Sequence, residues 1–343
     1  MFRRNVVTLV LIVAITMTFA GAARSQQPAE SGRFAPSADR NFFFIYDTEI
    51  TVPPTTHAVK IWIPLPRNDV YQRAGEMKVE STIPHQIVKL ERDGNRAVFF
   101  TSEGPFDKPI KAKIKFDATR REQIADFTQA ELPKPEPRDG IFLPYLKSNR
   151  MIPLDGRIAE VSNSIPANQP SSLEQARAIY DYIVNTMHYD KSGDGWGRGD
   201  AVWACDSKRG NCTDFHSLFI ALARSRGIPA RFLIGFPLGD PGAGEIPGYH
   251  CWAEFYAGGV WVPVDASEAS KKPARRNYYF GRLDADRIAF TMGRDLALAP
   301  PQDGQPVNFF IYPYVEADGT ELPKSAFKTK FTYGDLKTTD KEE

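Results

Sequence analysis

Proline and glycine punctuation limits this chain more than any other feature. The 343 residues include 27 prolines and 25 glycines. They separate short apolar runs instead of interrupting long periodic ones. Over 41–120 the runs are Phe42–Tyr46, Val59–Ile63, Ala97–Phe100 and Ile110–Phe116, rich in aromatic and β-branched residues. Between them lie Pro53-Pro54, Pro64-Leu65-Pro66, Asp93-Gly94 and Gly104-Pro105. A proline cannot donate to a ladder or continue a helix interior, so this spacing excludes a helical bundle. It predicts an antiparallel β-sandwich over 41–120. That segment holds no catalytic constellation, and His57 and His85 sit near turns as solvated side chains.

The N-terminus reads as a leader. Arg3-Arg4 precede an apolar run over Val6–Ala20 and the small residues Ala20–Ala23, the layout of a signal peptide over 1–25. The competing expectation is an uncleaved anchor. Residues 26–40 form a polar lead-in. Cleavage removes Arg3, Arg4 and Arg24 and no acid, taking formal charge from +1 to −2 (1 − 3). So balanced a surface gives no electrostatic reason to bind nucleic acid. No later segment is apolar long enough to span a bilayer, so the mature chain is expected to be exported, periplasmic or secreted, with no stable membrane span after cleavage.

Residues 121–155, with Leu132-Pro133-Lys134-Pro135-Glu136-Pro137, read as a stiff linker. Beyond it the periodicity changes. Leu173, Ala176, Ile179, Tyr180, Ile183, Val184 and Met187 recur every three or four residues, predicting a helix over 172–187 with Ser171 or Ser172 as its cap. A second helix is expected over 212–225, stopped by Gly227 and Pro229. Strands follow at 230–236, 249–256 and 260–264, with late strands at 309–315 and 327–333. This half is α+β, a core over 156–300 followed by C-terminal strands and a tail over 301–343.

Cys205, Cys212 and Cys251 are too few for a disulfide framework, and their spacing offers no structural zinc site. Cys212 follows Gly210-Asn211, and Asn is a favoured helix cap. A cysteine in a helix's first turn meets unpaired N–H groups and the positive dipole end, which favour thiolate. The backbone N–H of Cys212 could also serve an oxyanion.

His250 and Asp265 supply the other half of such chemistry. Ala257-Gly258-Gly259 marks a hairpin between the two strands that carry them. If Tyr256 pairs with Gly259, His250 lies opposite Asp265. If Ala257 pairs with Val260, the two are diagonal on one face. Either register lets a carboxylate orient the imidazole that activates the thiol. Cys251 follows His250 and is expected on the opposite face, as buried packing or as a partner for Cys205. His216, four residues after Cys212, and Trp252 are candidates for lining the pocket. Asp190–Gly195 fits the start of a calcium loop, but Ala201 stands where the closing Glu belongs.

Three blocks carry a resemblance: Arg209-Gly210-Asn211-Cys212-Thr213-Asp214-Phe215-His216, Ala223–Arg231, and Tyr249–Tyr256 continuing to Trp261-Val262-Pro263-Val264-Asp265. Over about 170–290 the chain resembles the transglutaminase-like superfamily. The resemblance implies a papain-like core, helices packed on an antiparallel sheet, here preceded by the β-sandwich. It implies Cys212 as nucleophile, His250 as general base and acid, and Asp265 as orienting carboxylate. It also implies a second oxyanion donor upstream of the nucleophile, for which Tyr189 and Trp203 are candidates. The chemistry would be attack on an amide and a thioester acyl-enzyme, resolved by water or by an amine, without metal or cofactor. The expected partner is a peptide or protein, such as cell-envelope material. The rival expectation is a catalytically silent binding or assembly module of the same fold.

Overall fold

The strand Arg40–Ile50 buries every second residue, and the strand Ile110–Arg120 does the same. A period of two puts Phe42, Phe44 and Tyr46 on one face. The antiparallel register sets Phe44 against Phe116 and Tyr46 against Ile114. These strands are the centre of the larger of two N-terminal sheets in a computed structural model that describes residues 39–126, 140–166 and 171–337. The leader, nearly all of the lead-in and the proline-rich part of the linker lie outside the described residues.

That first sheet runs Ala243–Ile246, Phe327–Asp335, Arg40–Ile50, Ile110–Arg120, Gln72–Ala74, with Lys78–Ser81 also on Ile110–Arg120. The second runs Thr320–Glu321, Tyr314–Ala317, Ala58–Pro64, Arg96–Glu103, His85–Lys89. Both are antiparallel, and both are completed by strands from the far end of the chain. Phe327–Asp335 pairs with Arg40–Ile50, and Tyr314–Ala317 pairs with Ala58–Pro64. The N-terminal region is thus β-rich as the spacing requires. The strand expected over 309–315 begins only at Tyr314; Pro313, just ahead of it, has no N–H to give a ladder.

The third sheet, Val260–Val264, His250–Ala257, Ala230–Pro237, Arg287–Met292, carries the α+β half. The described helices are α1 (Gly156–Ser164), α2 (Ser172–Thr186), α3 (Ala201–Ser207), α4 (Cys212–Ser225) and α5 (Ala266–Lys271). Helix α2 starts where the capping signal places it, with Ser171 accepting from Glu174 N–H at 3.3 Å. The whole is α+β, a papain-like arrangement behind a β-rich N-terminal region.

Aromatic contacts fasten the third sheet to the first. Phe44 meets Phe116 at 5.4 Å, and also Phe236 at 5.3 Å and Phe290 at 5.4 Å, both from the third sheet. Strand 250–257 packs on α4 through Phe255 and Phe219, at 5.8 Å. Within the third sheet, strands 230–237 and 287–292 approach so closely at their bulge that a Cβ on Gly235 would lie 1.8 Å from the Ile288 carbonyl oxygen. Only glycine fits there.

Phe44 is fully buried at the centre of this cluster. Truncating Phe44→Ala is expected to cost about 3–5 kcal/mol, through lost burial and the cavity left behind. Equilibrium urea unfolding against Phe44→Leu, which should lose much less, checks this.

Candidate active site

Helix α4 begins at Cys212 because the residues around it cap each other. The Asn211 side chain accepts from Thr213 N–H at 2.9 Å, and Asp214 Oδ2 accepts from Asn211 N–H at 2.9 Å, a reciprocal box. Gly210 sits at φ +144°, and a Cβ there would run into the Asp214 carboxylate. Asp214 reaches further. It accepts from Gly197 N–H at 2.7 Å and Gly199 N–H at 3.0 Å, which docks the loop of Gly193, Gly195, Gly197 and Gly199 on α4. Asp190, first residue of the calcium-like pattern, instead accepts from Ser192 N–H at 2.8 Å and faces Arg209.

A two-residue parallel bridge pairs His188 with Arg209 and Tyr189 with Gly210. This brings Tyr189, far upstream in sequence, beside the start of α4. Tyr189 and His250 line the same cleft of about 560 Å³, with Tyr249, Lys271 and Arg287. Trp203, the other oxyanion candidate, goes elsewhere. It packs against Gly195, with the Arg209 guanidinium 5.6 Å above its ring.

The hairpin takes the tighter of the two registers. Ala257 pairs with Val260 across Gly258-Gly259, both glycines at positive φ, and pairing runs to Ala253 opposite Val264. His250 and Asp265 are therefore diagonal, and one residue past the ladder Asp265 becomes the cap of α5. Its Oδ1 accepts from Glu268 N–H at 2.9 Å and Ser267 Oγ at 3.0 Å. Its Oδ2 accepts from His250 Nε2 at 2.7 Å and Arg287 Nη1 at 2.8 Å. With Nε2 donating to a carboxylate, Nδ1 is the ring nitrogen left for sulfur. The Cys212 thiol and the His250 ring interact as neighbouring titratable groups.

The charges follow from this geometry. Burial alone would drive the Cys212 thiol up, but hydrogen bonds from Cys251 and His250 and the charge on His250 outweigh it, leaving the thiol well below its usual range. Burial opposes charge on His250 too; Asp265 and Cys212 more than offset this and hold its pKa at about 10. Asp265, despite complete burial, stays well below the usual carboxylate range through His250 and Arg287. These directions favour a thiolate–imidazolium pair backed by a carboxylate.

His216 and Trp252 are not pocket-lining. Both are 0% exposed. Ala266 N–H donates to His216 Nε2 at 3.1 Å, so the proton sits on Nδ1, which donates to the Cys212 carbonyl at 2.8 Å. Burial keeps this ring's pKa below the usual histidine value. It is a neutral tie between the nucleophile helix and the residue after Asp265. Trp252 lies under the Arg287 guanidinium, 5.2 Å from the ring. Cys251 does not pair with Cys205; all three cysteines are free. It faces α4, with its sulfur 3.6 Å from His216 Nδ1.

Sequence reasoning passed over two residues. Arg287, on the far strand of the third sheet, carries no local motif. Tyr249 is expected as the first residue of a strand, but the strand begins at His250; its hydroxyl accepts from Asn211 Nδ2 at 3.0 Å.

Residues 159–266 match the family model described as Transglutaminase-like superfamily. This segment is similar to the transglutaminase-like core. The matched segment holds Cys212, His250 and Asp265 in order and stops short of Arg287. An uncharacterized protein of Haemophilus influenzae is 29% identical over 318 residues, 81% of this chain and 86% of that one. An uncharacterized protein of Mycobacterium leprae is 32% identical over 126 residues, 34% of this chain and 42% of that one. Among solved structures, a candidate cysteine protease from Cytophaga hutchinsonii shares the fold with TM-score 0.61 and 19% identity, over 89% of this chain and 93% of that one. The transglutaminase-like core is thus set in a whole-chain architecture that this neighbour shares.

The ion pair makes a pH prediction. Cys212 should be alkylated by iodoacetamide at a rate that holds at neutral pH and is lost only as pH falls through its depressed pKa, well below the ordinary 9.0. In His250→Ala the profile should move up toward the ordinary thiol range, slowing labelling at pH 7 on the order of 10–100-fold. Rate–pH profiles of the two proteins, read at the Cys212 peptide, decide it.

Proposed function

We propose that this chain is an exported cysteine-dependent acyl-transfer enzyme acting on amide bonds of peptide or peptide-like substrates. One observation supports this above the rest: a buried group of Cys212, His250 and Asp265 whose histidine lines a cleft of about 560 Å³. Export is supported by the leader-like sequence. Among the described residues no helix is long and apolar enough to cross a membrane.

In this reading the Cys212 thiolate attacks the amide carbonyl carbon. The developing oxyanion is met by the N–H of Cys212, one of the helix-start donors without an intrahelical acceptor. Tyr189 is the better-placed second donor, because it lines the cleft and Trp203 packs on the loop. The imidazolium of His250 gives its Nδ1 proton to the leaving nitrogen, the C–N bond breaks, and a thioester remains on Cys212. Water or an amine, deprotonated by His250, then attacks the thioester and restores the thiolate. Asp265 keeps the ring's tautomer fixed throughout. Hydrolysis is favoured over transfer, with envelope peptides as the substrate class.

The test is a peptide panel assayed for amine release with and without an added primary amine, alongside mass spectrometry of a trapped thioester. Wild type should turn over and carry the acyl mass on Cys212. Cys212→Ala and His250→Ala should each lose roughly 10³-fold or more. Unchanged turnover in Cys212→Ala would reject the reading. So would ordinary, slow Cys212 labelling together with peptide binding but no turnover, the signature of a silent binding module.

A further inference from the structure

Cys251 has no part in the acyl-transfer steps, yet its sulfur is among the best placed in the molecule. It is 0% exposed and lies 3.6 Å from His216 Nδ1, the same nitrogen that meets the Cys212 carbonyl at 2.8 Å. The placement is enforced by packing. Strand 250–257 and α4 touch through Phe255 and Phe219. Cys251 lies four residues before Phe255, so it points the same way. Cys212 lies seven residues before Phe219, two helical turns back on the same face. Two turns of helix and four residues of strand cover similar distances, about 10.5 Å and about 13 Å. Cys251 therefore meets Cys212 as Phe255 meets Phe219.

We propose that Cys212 and Cys251 form a reversible oxidation site, with Cys251 as the resolving thiol and a small peroxide as the oxidant. This rests on Cys212 being the reactive thiolate of the reading above. The thiolate attacks one oxygen of hydrogen peroxide; the O–O bond breaks, hydroxide leaves, and Cys212 becomes a sulfenic acid. The Cys251 thiol then attacks that sulfur. The S–O bond breaks, the hydroxyl leaves as water with the Cys251 proton, and a disulfide closes. Overall two thiols and one peroxide give one disulfide and two waters. The disulfide takes Cys212 from His250 and spares it irreversible oxidation to sulfinic acid. Cys205 takes no part. It lies on α3, outside the packing of α4 on the strand 250–257, so it is the internal control.

The experiment uses the mature chain as wild type, Cys251→Ser and Cys205→Ser, with Cys251→Ala should the serine variant fold poorly. Each is treated with hydrogen peroxide and then dithiothreitol. Iodoacetamide labelling of Cys212 is read before treatment and after each step, with peptide mapping under non-reducing conditions. Wild type and Cys205→Ser should lose labelling, show a Cys212–Cys251 peptide pair lacking two hydrogens, and recover nearly fully on reduction. The Cys251 variants should lose labelling with most of it unrecovered. Fast labelling of untreated Cys212 with no such pair, or a pair to Cys205, would overturn the inference and leave the enzyme reading standing. Slow labelling and no pair would overturn both. A pair formed despite slow labelling would overturn the enzyme reading and support the pairing.

Discussion

The Asp265 carboxylate is the constraint around which this molecule is arranged. A fully buried anion is costly unless charges and hydrogen bonds compensate it. Here four donors do so: the backbone at Glu268, the Ser267 hydroxyl, the His250 ring and the Arg287 guanidinium. The four come from three elements: the strand beginning at His250, helix α5, which supplies two of them, and the strand beginning at Arg287. Satisfying one carboxylate therefore fixes the relative placement of two strands and a helix. His250 is turned toward sulfur as a consequence.

Arg287 is itself committed twice, to Asp265 and to Asp284, and these pairs hold it cationic against its burial. It shares Oδ2 of Asp265 with His250. The carboxylate's charge is thus divided between a permanent cation and a titratable one. Arg287 thereby lowers the Asp265 pKa alongside the contribution of the imidazole. The second histidine plays a different part. His216 is tied on one side to Ala266 and on the other to the Cys212 carbonyl, so α4 and the start of α5 are braced by a ring whose burial disfavours charge.

The β-rich region earns its relevance through contact with this assembly. Its first sheet lays Phe44 and Tyr46 on Phe236 and Phe290, residues of the strands that flank the site's sheet on one side. Strands from both ends of the chain build that sheet, so the core is enclosed by segments lying before and after it in sequence. The stretch after the core serves the N-terminal sheets, where the sequence reading had set it apart as terminal strands and a tail.

Local signals were legible because local physics produces them. The period of two in Arg40–Ile50, the helical period and serine cap of 172–186, the Asn211 cap that puts Cys212 in a first turn, and the Gly258-Gly259 hairpin each depend on neighbours within a few residues. Even the His250–Asp265 pairing was readable to one of two registers, since a short glycine turn allows few alternatives. What sequence could not give were relations between distant elements. Arg287 on Asp265, Cys251 against Cys212, His216 buried as a brace, and Trp203 diverted to the glycine loop have no fixed spacing to betray them. They follow from which strands pair and which faces pack, and those are settled by burying one shared core, not by any local stretch of chain.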